Sequence, residues 1–295
     1  MQLVAAFTLR AVAAAQQGPG AVPFTSRPPI PRQGSLIALR VTPATEHGDS
    51  VVLVLGELAG EPLHFVRWPA GVFRALGGIP LDAPDTISMR LELHRATGVV
   101  DTAEVRLWVE RRSAVEERIA TPPRFVDVPD SVVAARITAD RAVALDVALG
   151  AHNVPRLWAQ RFVRPRPRGS RVTSPFGARR VVNGIRGARH SGLDVAGTAG
   201  ATVRVANRGV VALVRDFFYG GVSVYVYHGA GLMTAYYHLS HATVAVGDTV
   251  ARGQVIGRVG ATGRVTGPHL HWGAQYGRLS VDPVDLLALL AASPD

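Results

Sequence analysis

The 295-residue chain contains no cysteine, and none of its basic residues is lysine. Without cysteine there can be no disulfide framework, thiol nucleophile, cysteine-ligated zinc or iron–sulfur cluster. The compartment stays open, because an exported bacterial protein can manage without disulfides. All 32 basic side chains are arginine against 22 acidic ones, a net charge of +10. Complete loss of lysine looks like the footprint of a GC-rich coding bias, which weakens the positive charge as evidence for a nucleic-acid partner. A recognition helix, a basic and aromatic sheet motif and a clustered basic helix are also missing, so nucleic acid is not expected as a partner. No run of 18 apolar residues occurs, so no transmembrane segment is expected.

Charged residues make up 18% and hydrophobic ones 47%, ample for real cores, and the length suggests about two domains. Leu3 to Leu9, followed by Ala13-Ala14-Ala15-Gln16, has the look of a short apolar signal core with a small-residue cleavage site. It has no basic n-region, and Arg10 interrupts it, so it reads as a truncated or misplaced signal sequence. Residues 1–34 are thus expected to be a tail or signal remnant with a Pro/Gly-rich lead-in.

From Ser35 to Arg112 the pattern has period two: Met89, Leu91 and Leu93 alternate with Arg90, Glu92 and His94, and Val105, Leu107 and Val109 with Glu104, Arg106 and Glu110. Residues 35–112 are therefore expected to be a small antiparallel β domain, compatible with an immunoglobulin-like sandwich. Residues 113–168 form a connecting region. In it Asp130 or Ser131 could cap an alanine-rich helix ending before Gly150, and a basic, proline-bearing stretch from Arg161 to Gly169 reads as a domain junction. Beyond it, β-branched runs separated by glycine turns predict an all-β domain over 169–285, with a tail over 286–295. The fold class expected is mainly β.

Six of the ten histidines fall after residue 189. On a strand, His269 and His271 point to one face about 6–7 Å apart, with Leu270 on the other. That suits a shared metal, although such pairs are also common as surface or satisfied core residues. His190 and Asp194, with Gly192 between them, suit an extended segment that projects both side chains together; alternatively Asp194 only orients His190 or caps a turn. His238 ends an apolar strand and by itself is unremarkable. His228 and His241 read as structural or surface residues, and Trp272 as core. Taken together, His190, Asp194 and one of His269 and His271 offer three ligands with a fourth position open, the stoichiometry of catalytic zinc. Two histidines remain to handle protons. No His-Glu-x-x-His helix occurs, which excludes a thermolysin-like site.

The segments Ser174-Pro-Phe-Gly177, Arg179-Arg180, His190-x-Gly-x-Asp194, Tyr237-His-Leu-Ser240, Gly253-Gln-x-Ile-Gly257, Gly260-x-Thr-Gly263 and Gly267-Pro-His-Leu-His271 occur in this order. In them the chain resembles the lysostaphin-type (LytM-like) zinc metallopeptidases, peptidase family M23. The resemblance implies an antiparallel β metallopeptidase core with glycine-rich loops and one zinc ion per chain on His190, Asp194 and His271. It also implies His269 as general base and His238 as stabiliser of the tetrahedral oxyanion. The implied reaction is hydrolysis of peptidoglycan peptide cross-links, in stem peptides or cross-bridges, by a protein exported to the periplasm or cell envelope. Members of such families that have lost a ligand act as idle, wall-binding activators of other hydrolases; here the ligand set is complete. Some members carry an N-terminal β domain, as the alternating strands suggest for this chain.

Overall fold

The computed structural model describes residues 22–45, 48–122, 125 and 131–289. The signal-like stretch, Asp130 and the last six residues lie outside them. Eight strands form the N-terminal half: β1 (Phe24–Arg27), β2 (Leu36–Val41), β3 (Val51–Leu58), β4 (Glu61–Leu63), β5 (Val66–Trp68), β6 (Val72–Gly78), β7 (Thr86–Arg95) and β8 (Val100–Trp108). They make two antiparallel four-stranded sheets, ordered β1-β2-β6-β5 and β4-β3-β7-β8. Period-two alternation buries Met89, Leu91 and Leu93 in one sheet and Leu39 and Val41 in the other. The two buried faces meet: a Cβ on Gly77 of β6 would touch Leu58 and Leu63 of the opposite sheet. Strand pairing starts earlier than the alternation that begins at Ser35. Phe24 to Arg27 pair with Val41 to Ala38, turning part of the lead-in into an edge strand.

The connecting region is more ordered than a solvated linker. Strand β9 (Glu116–Ile119) is followed by helix α1 (Ser131–Gly150). The C-terminal half of α1 packs through Ala144, Val147 and Ala148 against Phe217, Tyr225 and Met233. Its buried Asp140 adds a polar anchor, accepting from the Arg215 guanidinium at 3.0 Å and from the Phe218 amide at 2.8 Å. In the arginine- and proline-bearing stretch, Phe162 is buried and the Val163 amide donates to Ala206 O. Arg166 donates to Thr202 O at 2.6 Å.

The C-terminal half comprises β10 (Val172–Ser174), β11 (Arg179–Val182), β12 (Ile185–Arg189), β13 (Gly192–Ala196), β14 (Thr202–Arg204), β15 (Gly209–Phe217), β16 (Gly221–Gly229), β17 (Leu232–Ala242), β18 (Thr249–Val250), β19 (Val255–Val259), β20 (His269–Tyr276) and β21 (Leu279–Val281), with α2 (Pro283–Leu289) after them. Ten of these strands form one sheet with the path β10-β13-β20-β17-β16-β15-β18. The other two, β11 and β12, form a hairpin at Asn183-Gly184, whose positive φ values of 49° and 85° match a type I′ turn. Its other neighbour is β9, paired in parallel with β11. Among the described residues, no helix is long and apolar enough to cross a membrane.

Gly229, at the β16 end, shows how closely the connector is laid on this sheet. Its φ is +86°, and a Cβ there would strike the Pro155 carbonyl. Gly229→Ala is expected to cost at least about 1–2 kcal/mol through the left-handed backbone and the clash together. A thermal melt checks this; an unchanged melting temperature would mean that the connector is not held at this point.

Candidate metal centre

Three of the predicted site residues converge because two strands are in register. In the antiparallel β13–β20 pair, Asp194 faces His271 and Ala196 faces His269. His190 precedes β13 and is buried; its amide donates to Ala178 O, and its own carbonyl accepts from the Gly177 amide. The intervening Gly192 is required by packing, since a Cβ there would lie 2.5 Å from His271 Nε2. The opposite faces of the two strands carry Leu193, Val195, Leu270 and Trp272 into the core.

The result is a nearly equilateral triangle of donor atoms. His190 Nε2 lies 2.9 Å from His271 Nδ1 and 3.0 Å from Asp194 Oδ1, and His271 Nδ1 lies 2.8 Å from that same oxygen. The circumradius of such a triangle, ~1.7 Å, is shorter than a zinc–nitrogen bond of ~2.0–2.1 Å, so a single ion could reach all three atoms. Protonation also fits. His190 Nδ1 faces Pro175 O at 2.9 Å, and a carbonyl can only accept, so Nδ1 carries the proton and Nε2 offers its lone pair. Burial opposes ionisation of Asp194, but the His190 and His271 nitrogens beside it hold its carboxyl well below the usual carboxylate range. Its second oxygen accepts from Arg180 Nη2 at 2.6 Å. Burial pushes the His271 imidazole down to about 4, against the pull of Asp194, leaving it neutral at physiological pH.

The other two predicted residues flank the triangle. His269 Nδ1 donates to Gly267 O at 2.9 Å, which leaves its Nε2 as a base 3.7 Å from Asp194 Oδ1. His238 Nδ1 donates to Thr262 O at 2.9 Å, and its ring centroid is 4.9 Å from that of His269. Burial, with His271 and His269 nearby, pushes His238 down to about 3. The sequence reads His238 as ending a strand. Instead β17 continues to Ala242, and His238 sits in it with φ +60°, where the β16–β17 register shifts. This bulge turns the imidazole toward the triangle and ties its backbone to two loops, by His238 N to Gly220 O and Gly260 N to His238 O, both at 2.9 Å.

Sequence reasoning quoted Ser174 and Arg180 without giving them a part. Both touch the donors: Ser174 Oγ lies 2.9 Å from His190 Nδ1, and Arg180 binds Asp194. The signal available was their place in the quoted motifs. His241 stays at the surface. His228 lies elsewhere, fully buried, with Nδ1 donating to Arg208 O and Nε2 accepting from Thr234, whose oxygen pairs with Tyr236.

A family model described as "Peptidase family M23" matches residues 188–283, a span that includes all five residues above. The peptidoglycan DD-endopeptidase ShyA of Vibrio cholerae is 46% identical over 103 residues, 35% of this chain and 24% of that protein. The DD-carboxypeptidase/endopeptidase Mpg of Neisseria meningitidis is 41% identical over 120 residues, 40% of this chain and 27% of that one. The matched stretch thus spans about a quarter of the length of these curated relatives. A solved structure from Pseudomonas aeruginosa, described as a candidate M23 peptidase, is similar over 87% of this chain and 95% of its own, at TM-score 0.63 and 29% identity. That likeness takes in the N-terminal sheets as well.

The His228 network makes a pH prediction. Burial lowers this imidazole from 6.5 to about 4, so below pH 6.5 the unfolded chain takes up a proton that the folded one refuses. Its contribution to stability is full above pH 6.5 and is lost progressively as pH falls toward 4. Imidazole nitrogen NMR at pH 5 should show His228 neutral with the proton on Nδ1, and the urea midpoint should fall across this window. A charged ring at pH 5 in the folded chain would contradict it.

Proposed function

Residues 188–283 make this chain a member of peptidase family M23, and from that premise we propose that it is a zinc-dependent endopeptidase hydrolysing peptide cross-links of bacterial peptidoglycan. The observation that carries the reading is the pairing of a three-donor triangle with two flanking histidines whose Nδ1 protons are spent on backbone carbonyls. A structural zinc site would close its fourth position with another protein ligand and would have no use for spare bases. One zinc per chain would be held by His190, Asp194 and His271. When bound, zinc acidifies a water and polarises a peptide carbonyl.

The chain's own residues then divide the proton handling. His269 Nε2, an unprotonated base beside Asp194, accepts the proton of the attacking water. His238 Nε2 can donate to an oxyanion only after its ring has gained a second proton, because the first is committed to Thr262 O. Burial keeps that ring neutral in the free protein, so we assign its stabilising donation to a ring that takes over the proton His269 has accepted from the water, once the charge of the oxyanion beside it offsets the burial. Arg180 holds Asp194 in place.

Stem peptides or cross-bridges of the wall are the substrate class, in line with the peptidoglycan DD-endopeptidase among the relatives. This substrate places the protein outside the cytoplasm, in the periplasm or cell envelope. A net charge of +10 favours approach to an anionic wall, an attraction that salt weakens. The intact ligand set argues against an idle activator.

His271→Ala should lose both zinc and cleavage of cross-linked muropeptide dimers. His269→Ala should keep its zinc, measured by elemental analysis, and lose about 10²–10⁴-fold in rate. Normal turnover by the His269 variant would overturn the base assignment.

A further inference from the structure

One carboxylate from outside the family match reaches the metal centre. Strand β9 lies in the connecting region, and its parallel ladder with β11 sets Glu116 opposite Arg179 and Glu117 opposite Arg180. Glu117 then touches the shell of two donors at once. Ser174 donates its hydroxyl proton to Glu117 Oε2 at 2.6 Å. A hydroxyl has one proton, so the Ser174 oxygen can only accept from its other neighbours: from Arg180 Nη2 at 3.3 Å and from His190 Nδ1 at 2.9 Å, whose one proton it shares with Pro175 O, also at 2.9 Å. Negative charge is thereby relayed from Glu117 through Ser174 to His190, whose other nitrogen faces the triangle. A carboxylate behind a ligating imidazole fixes its tautomer and raises its basicity.

The second arm runs through Arg180. Its Nη2 binds Asp194 at 2.6 Å, and its Nε lies 3.8 Å from Glu117 Oε2, too far for a hydrogen bond. The short bond of Glu117 is therefore spent on Ser174 and not on the guanidinium, which is unlike a plain structural ion pair. Charge makes the same point. Arg180 cancels the one negative charge that Asp194 offers a dication, and Glu117 restores it.

We infer that Glu117 is a positioning residue of the metal centre, contributed by the connector, which tightens zinc binding through Ser174 to His190 and by balancing Arg180. The inference rests on the reading that the triangle holds zinc. It means that residues 188–283 carry every ligand but not the complete site.

The test uses full-length chains carrying Glu117→Gln, Glu117→Asp, Ser174→Ala and the Gln/Ala double substitution. Zinc dissociation constants are measured by competition with a chromophoric chelator, and zinc-free melting temperatures are taken in parallel. Glu117→Gln keeps the shape and removes the charge, and should weaken zinc binding by about 10–100-fold. Glu117→Asp should recover most of that loss, and zinc-free melting should change little. The double variant should lose less than the product of the single effects, since both act on one relay. A Glu117→Gln chain within twofold of wild type overturns the proposal. So does a loss that the Asp variant does not relieve and that follows a lowered zinc-free melting temperature. A wild-type chain that binds no zinc overturns the metal reading itself.

Discussion

The pairing of β13 with β20 is the constraint on which the site depends. Asp194 opposite His271 and Ala196 opposite His269 set the metal-facing side chains on one face, while Leu193, Val195, Leu270 and Trp272 fill the core from the other. Side chains on a strand alternate with period two, so a slip of one residue would bury the donors and expose Trp272. Burial of the large apolar residues therefore fixes the position of the polar ones. Gly192 marks how tight the arrangement is: only a residue without a Cβ leaves room for His271.

Around this pair the chain assembles parts from distant positions. A bulge in β17 aims His238, and the loops before β16 and β20 hold it from both sides. Strand β11 supplies Arg180 to Asp194, and the connector supplies β9 to β11. The connector is thus a component of the domain it precedes, fixed by a parallel ladder, the α1 contacts of Asp140 and the buried ring of Phe162.

The four site histidines and Asp194 were legible as a cluster because their signal is local. His-x-His on a strand and His-x-Gly-x-Asp before one state their geometry in their spacing, and the surrounding glycine motifs carry the resemblance. The mainly β fold was legible for the same reason, through alternation such as Met89, Leu91 and Leu93. What stayed hidden is nonlocal. Nothing in Glu116-Glu117-Arg118 says that it will pair in parallel with residues more than sixty positions away. Nothing in Tyr237-His238-Leu239 announces a left-handed residue inside a continuing strand. Arg161 to Gly169 is dominated by arginine and proline, which hides the single buried phenylalanine that anchors it.

The central claim is that this assembly hydrolyses peptide cross-links with a metal. The most direct measurement is digestion of purified peptidoglycan sacculi by the full chain, with and without a zinc chelator, with the released muropeptides read by mass spectrometry. The account predicts loss of cross-linked dimers that the chelator abolishes and zinc restores, with new termini at the severed peptide bond. Dimers that persist with zinc-loaded protein, or that are lost equally in the presence of chelator, would contradict it.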